Sequence, residues 1–347
     1  MNKPYLSVVI PAYNAGEKLS KLLVSLGRSK YKNFEVIVGD DGSEEEQRSK
    51  IKDQKSNVRI VRLLKNRGPA AARNEAARLA KGRVLVFLDS DTEVYADTLS
   101  RIAEKFENDD DLTALTGVWD KHQRTRDFFP QFKALRDWSY WTNERDSDGY
   151  YYLFSTRIAA LKRDVFSRLG GFNEAFRQME DVEMTYRIAR RYAIIFADDV
   201  RVHHEFEGFF AVARKYFWRS YYWSRMYRER RKFDPVATTM WETLAALSGV
   251  ATVGFFVWAV GVIIALGLVL SIKGLVLSTF MIEAVILLIL GSLVFLCIHI
   301  FFLRKFLGFV YKEKGMVFTV KSLGVGMILY CVILLGSAYF FLRKSMS

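Results

Sequence analysis

The 347-residue sequence predicts an α/β domain, a mostly parallel sheet with crossover helices, followed by a C-terminal α-helical transmembrane region. Three observations predict it. Strand-like and helix-like segments alternate through about the first 200 residues, the pattern of strands joined by crossover helices. Three runs without Asp, Glu, Lys or Arg then follow, Thr243–Ile272, Ala284–Leu303 and Ser322–Leu342, of 30, 20 and 21 residues. Of the formal net charge of +13, a net +6 sits in residues 212–234, directly before the first run.

The elements follow in order. LSVVIPAYN (Leu6–Asn14) is a strand closed by Pro11, and Glu17–Leu26 carries Leu19, Leu22, Leu23 and Leu26 at helical spacing. FEVIVGDDGS (Phe34–Ser43) is a second strand ending in an acidic turn at Asp41-Gly42, and the charged stretch after it is expected to be a helix. Val58–Leu63 is a third strand. Asn66–Gly82 gives a tight turn and an alanine-rich helix, and VLVFLDSDTEV (Val84–Val94) brings a fourth, apolar strand to two carboxylates. A helix around Asp97–Glu107 and a strand near Leu112–Trp119 lead into an aromatic and charged region that runs to Tyr151. Gly170–Arg191 reads as a loop and then a helix whose first turn holds Glu180, Asp181 and Glu183; Ala193–His203 is the last strand.

Each apolar run is long enough to cross a hydrocarbon core of roughly 30 Å as a helix. The expected organisation is a polar domain over residues 1–211, a basic aromatic interfacial segment over 212–240, and a membrane region over 241–347 with helices near 245–270, 278–303 and 320–342. No signal-like segment precedes the first strand, so the polar domain is expected in the cytoplasm and the protein in the cell (inner) membrane as a multi-pass protein. The basic Arg304–Lys321 loop agrees with that orientation. Both cysteines, Cys297 and Cys331, lie inside expected spans, which excludes a disulfide or a Cys-based zinc site in the polar domain. Residues 212–234 interleave eight Lys/Arg with eight aromatics. That composition suits a headgroup layer of membrane lipids better than nucleic acid, which is not expected as a partner.

In open α/β sheets the ligand site lies outside the carboxyl ends of the strands, where the acidic turns after the second and fourth strands both belong. Continued strand alternation would point Asp89 and Asp91 to one side and Ser90 to the other. Two neighbouring carboxylates repel unless a cation sits between them, and Mg²⁺ is typically held by one or two carboxylates with substrate phosphates. A solvated loop is the alternative for so short a pattern.

Five stretches in this order, SVVIPAYN, VIVGDDGS, RGPAAARNEA, VLVFLDSDTEV and GGFNEAFRQMEDVEMTYRIARR, resemble glycosyltransferase family 2, whose members have the GT-A fold. The resemblance covers about residues 5–205 and implies roles for the matching positions. Asp41 would recognise the nucleobase of a nucleotide-diphosphate sugar donor, with Pro11, Ala12 and Tyr13 on the same edge and Arg73 approaching the nucleotide. Asp91 would hold Mg²⁺ or Mn²⁺ against the diphosphate; Asp89 would touch the sugar, ribose or metal-bound water, beside Ser90; His203 would complete the metal site. Asp181 would be the general base that deprotonates an acceptor hydroxyl in an inverting displacement, with Glu180 orienting it. Ordinary readings stand beside these: a turn-former at Asp41, a surface arginine at Arg73, a strand-end polar pair at His203 and His204, and acids favoured by the helix dipole in the first turn.

The region after the Glu180-Asp181 helix reads RKYFWRSYY and lacks the Gln-x-x-Arg-Trp of processive synthases, so transfer of one sugar is expected. A lipid-linked acceptor at the cytoplasmic face, for cell-surface glycan or glycolipid assembly, is the leading expectation. A polyprenyl-phosphate sugar synthase and a noncatalytic nucleotide-sugar-binding membrane scaffold are the rivals. A sugar-1-phosphate nucleotidyltransferase would want a Gly-rich, basic loop after the first strand, and PAYNAGEKL supplies none.

Overall fold

In the computed structural model, residues 3–46, 58–144, 152–230, 240–273 and 279–345 are described. The helix expected after the acidic turn lies largely outside them, as do residues 145–151 of the aromatic region. The chain divides into two compact units, Met1–Glu207 and Gly208–Ser347.

The first unit is an eight-stranded mixed sheet. Its first half is parallel: β1 (Leu6–Ala12) pairs β2 (Phe34–Asp40) and β4 (Val84–Leu88), and β2 pairs β3 (Val58–Arg62). Beyond β4 the sheet turns mixed, through antiparallel β7 (Ile158–Lys162), β6 (Ala114–Trp119), β8 (Ile194–His204) and β5 (Thr92–Val94). All seven residues of β1 and all five of β4 are buried, as continuous apolar strands between helical layers must be. Helix α1 (Gly16–Gly27) buries Leu19, Leu22, Leu23 and Leu26, the i, i+3, i+4, i+7 stripe. Helix α2 (Pro69–Arg78) starts with proline in its first turn after Gly68 at φ 98°. It lies so close to β2 that a Cβ on Gly39 would sit 2.1 Å from the Ala72 carbonyl oxygen, and this seats the neighbouring Arg73 beneath the sheet edge.

Under that edge Phe87 is fully buried, with ring centroids of Phe172, Phe166 and Phe154 at 5.2, 5.4 and 5.8 Å. A buried aromatic of this kind contributes about 3–5 kcal/mol against truncation to alanine. Helix α3 (Thr98–Asn108) appears as the spacing predicts. Helix α4 (Phe128–Ser139), extended by a π turn at Tyr140–Glu144, does not stand out in the sequence; its Phe129, Phe132 and Leu135 form the buried stripe. Short α5 (Arg163–Arg168) and α6 (Glu180–Ala189) complete the unit, and Met179 enters α6 at φ 68° in the left-handed region.

Two departures from the expected elements shape the site. The strand expected to carry both carboxylates stops at Leu88; residues 89–91 form a turn in which the Thr92 N–H and hydroxyl donate to the Asp89 carbonyl at 3.1 and 2.8 Å. Chain direction changes there, so β5 leaves β4 and pairs with β8, Thr92 opposite His204. The second departure is in β8: between the pairs Thr116–Phe196 and Val118–Arg201, five steps on β8 oppose two on β6. Three extra residues are an odd number, so the side-chain parity of the strand end is reversed.

In the second unit, α7 (Phe209–Arg230) and α8 (Met240–Lys273) each pack on α9 (Thr279–Ser345). Trp241 meets Phe302, and Phe255 stacks on Phe295 at 5.4 Å, so α8 runs antiparallel to the first part of α9. The stretch expected as a loop over Arg304–Lys321 is helical on both sides of Gly315, whose φ of 78° breaks the 67-residue run. Tyr221 of α7 packs edge-on against Phe340 near the end of α9. Two helical stretches, Trp241–Leu268 and Met281–Arg343, are long and apolar enough to cross a membrane, the second about twice the length of one crossing.

Candidate active site

The ends of β1, β2 and β4 bring Pro11, Ala12, Tyr13, Asp41 and the Asp89–Asp91 turn to one edge of the sheet. Pro11 and Ala12 are buried in β1, whereas Tyr13 is 51 % exposed and stands free at the rim. Asp41, expected at the nucleobase, is only 3 % exposed. Its carboxylate accepts from the Arg67 and Gly68 N–H groups at 2.7 and 2.8 Å, and its own N–H donates to the Ala12 carbonyl at 2.8 Å. These bonds hold the turn that leads into α2, and they give Asp41 a structural task in place of an open carboxylate.

Arg73 is likewise not open to a nucleotide: it is 3 % exposed. Its Nη1 donates to Glu180 Oε1 at 2.6 Å, and its Nη2 donates to Asp89 Oδ1 at 2.6 Å and Thr156 Oγ1 at 2.8 Å. One guanidinium therefore ties α2, the turn after β4, the entry to β7 and the start of α6. Its planar fork suits this, since two carboxylates take separate nitrogens. Burial works to lower the pKa of Arg73, but the charges of Asp89 and Glu180 override it and raise it. Burial raises the Glu180 carboxyl and Asp181 pushes the same way, against the pull of Arg73. Asp89 is thus turned away from Asp91, contrary to strand alternation, because the turn at residues 89–91 separates their directions. Ser90 is half-buried between them.

Asp91 faces His204, Oδ2 to Nε2 at 3.5 Å. The expected His203 points elsewhere: its Nε2 lies 2.7 Å from Glu205, and the reversed parity of β8 is the reason. Burial opposes ionisation of Asp91, yet His204, Arg157 and Lys18 hold its carboxyl well below the usual range. Burial lowers the pKa of the His204 imidazole, against the pull of Asp91. The His204 Nδ1 is buried and has no hydrogen-bond partner among the described residues.

Among the described residues, no three His, Cys, Asp or Glu side chains converge as a cage for an ion. One carboxylate and one imidazole at a partly exposed position nevertheless fit a divalent ion that phosphate oxygens and water would complete. The imidazole makes this set softer than the all-oxygen one Mg²⁺ favours, and so better matched to Mn²⁺. Asp181, next to Glu180 in the first turn of α6, is half-buried, and its Oδ1 accepts the Val182 N–H at 2.8 Å. Sequence reading missed Thr156 and the choice of His204: nothing local marks Thr156, and a three-residue bulge conceals strand parity.

The family model for glycosyl transferase family 2 matches residues 7–220, more than half the chain. The chain belongs to that family. This glycosyltransferase is 37 % identical over 116 residues to the uncharacterized glycosyltransferase YfnE of Bacillus subtilis (strain 168), a stretch covering 33 % of this chain and 30 % of that protein. It is 33 % identical over 106 residues to a GalNAc(5)-diNAcBac-PP-undecaprenol beta-1,3-glucosyltransferase of Campylobacter jejuni, covering 29 % of this chain and 34 % of that protein. The matched part is thus about a third of each relative's length. A mannosyltransferase of Pyrobaculum calidifontis, solved with GDP-Man and Mn²⁺, superposes with a TM-score of 0.56 at 17 % identity, over 99 % of this chain and 89 % of that one. The likeness is one of fold, and the mixed sheet is of the GT-A type.

Proposed function

We propose that this family 2 glycosyltransferase moves one sugar from a nucleotide-diphosphate donor to a lipid-linked acceptor at the cytoplasmic face of the membrane, with inversion at the anomeric carbon. The observation that carries the reading is the buried Arg73, which binds the turn bearing Asp91 to the helix start bearing Asp181 through Asp89 and Glu180. A donor site and an acceptor base are useful only at fixed separation, and a buried ionic strut supplies that rigidity.

Asp91 and His204 would hold a divalent ion, Mn²⁺ or Mg²⁺. When bound, that ion supplies positive charge against the developing charge of the leaving diphosphate. Asp181 takes the proton of the acceptor hydroxyl; the oxygen forms its bond to the anomeric carbon, and the bond from that carbon to the diphosphate breaks. Glu180, engaged by Arg73, orients its neighbour and does not itself reach the acceptor. Tyr13, exposed at the nucleotide edge, offers a ring for the base to stack on.

The two apolar helical stretches support attachment to the membrane, with basic α7 at lipid headgroups, and the undecaprenol-linked substrate in the name of the Campylobacter relative supports a lipid-borne acceptor. The test is to incubate membranes containing the protein with a panel of labelled nucleotide sugars and Mn²⁺, then extract lipid. Label in the lipid fraction, lost with Asp181→Asn, is expected. Label confined to water-soluble glycan overturns the lipid acceptor, and no donor turnover under any condition overturns the enzyme reading.

A further inference from the structure

Arg157 lies at the entry to β7, one residue after Thr156, and its side chain is 18 % exposed. Its guanidinium carbon is 4.5 Å from the centroid of the Trp119 ring and 5.4 Å from that of Phe206. The Phe206 ring in turn lies 4.6 Å from His204, which faces Asp91. The guanidinium is therefore held by two aromatic faces at the wall of the Asp91–His204 site. Its nearest carboxylate oxygen among the described residues, Asp137 Oδ2, is 3.6 Å away, too far for a hydrogen bond. Asp137 is also claimed by Lys133, whose ammonium lies 5.1 Å from the Phe206 ring, so one carboxylate serves two cations. Among the described residues Arg157 has this ion pair and its two ring contacts, and none of its five N–H donors makes a hydrogen bond.

The unspent fork keeps contact with solvent, so the oxygens of a ligand can take its N–H groups in place of water. The surplus positive charge selects an anion, and the planar fork selects adjacent oxygens on one phosphorus. We infer that Arg157, braced by Trp119 and Phe206, receives a phosphate group of a substrate beside Asp91. The inference rests on the glycosyltransferase reading and names a subsite of it. Two sources share the chemistry: the diphosphate of the donor and the phosphate of a lipid-linked acceptor. Trp119 and Phe206 fix the direction of the fork, so this is a substrate-positioning residue for either.

The experiment uses the full chain in detergent and measures, by titration calorimetry, the affinities of UDP and GDP with Mn²⁺ and of farnesyl diphosphate. Wild type, Arg157→Gln, Arg157→Lys and the surface control Arg168→Gln are compared, with unliganded melting midpoints read first. Arg157→Gln is expected to weaken at least one probe tenfold or more, Arg157→Lys to recover part of the loss, and the control to match wild type. Loss on UDP or GDP assigns the donor diphosphate; loss on farnesyl diphosphate alone assigns the acceptor phosphate. If Arg157→Gln does not fold, Arg157→Lys keeps the charge without the fork and is expected to lose at least threefold on the same probe. Affinities within twofold of wild type in the folded variants overturn the inference, whatever happens to the melting midpoint. A wild-type protein that binds none of the three probes overturns the glycosyltransferase reading, and this subsite with it.

Discussion

The acidic turn after β2 and the acidic turn after β4 end at the same sheet edge and look alike in sequence, yet their carboxylates do opposite work. Asp41 is enclosed by the N–H groups of Arg67 and Gly68 and is 3 % exposed. Asp91, with a side chain 31 % exposed, meets an imidazole and stays open to a ligand. Between them Asp89 belongs to neither kind, being consumed by Arg73. The lesson is that an aspartate at a strand end becomes a ligand or a brace according to which donors the next segment brings. For Asp41 those donors arrive with the turn before α2; for Asp91 they arrive from β8, more than a hundred residues later.

The largest test of that contrast is to remove the brace of the second turn. Arg73→Met leaves the buried Glu180 and the half-buried Asp89 without their cation, and the expected cost is about 3–5 kcal/mol by denaturant unfolding, with transfer lost. An unchanged midpoint would break the distinction between Asp89 and Asp91. Next, Asp91→Asn is expected to lower sugar transfer about 10²–10³-fold while the melting midpoint stays near that of wild type, because no backbone donor among the described residues depends on it. Asp41→Asn should show the reverse ranking. The two N–H groups bond different oxygens of Asp41, and in asparagine one of these becomes an NH₂ donor facing a donor, so a stability loss of about 1–3 kcal/mol is expected. A large fall in nucleotide affinity at unchanged stability would instead return Asp41 to the ligand.

A smaller effect sharpens the Asp91 side. His204→Gln is expected to weaken Mn²⁺ binding about 10–100-fold, and His203→Gln to leave it nearly unaltered. The smallest effect concerns pH. Burial opposes ionisation of Asp137, but Lys133 and Arg157 outweigh it and lower its pKa in the folded protein. A lowered carboxylate contributes stability above its unfolded value of about 4 and loses it as pH falls through the folded value. Melting midpoints of wild type should therefore drop more steeply below about pH 4 than those of Asp137→Asn.

Much of the first sheet half was legible because its signals are local. Apolar runs at β1, β2 and β4, the leucine stripe of α1 and the Pro-Ala start of α2 each specify an element without help from distant residues. Several residues that gather at the sheet edge were legible for the same reason: Asp41, Arg73, Asp89, Asp91, Glu180 and Asp181 lie in short patterns at element ends. Helix α4 was not, because its stripe of Phe129, Phe132 and Leu135 sits among residues equally rich in aromatics and charge.

By itself, then, the sequence determined the alternation of strands and helices, the apolar C-terminal stretches and which acids gather at the strand ends, since these depend on spacing and composition along the chain. Only the tertiary structure decided their partners. Arg73 became a buried strut because three other segments converge on it. His204 displaced His203 because an odd bulge in β8 reversed the strand's parity. Asp89 and Asp91 parted because a turn replaced the strand between them. Direction, parity and desolvation are set by contacts far apart in sequence, and no local pattern encodes them.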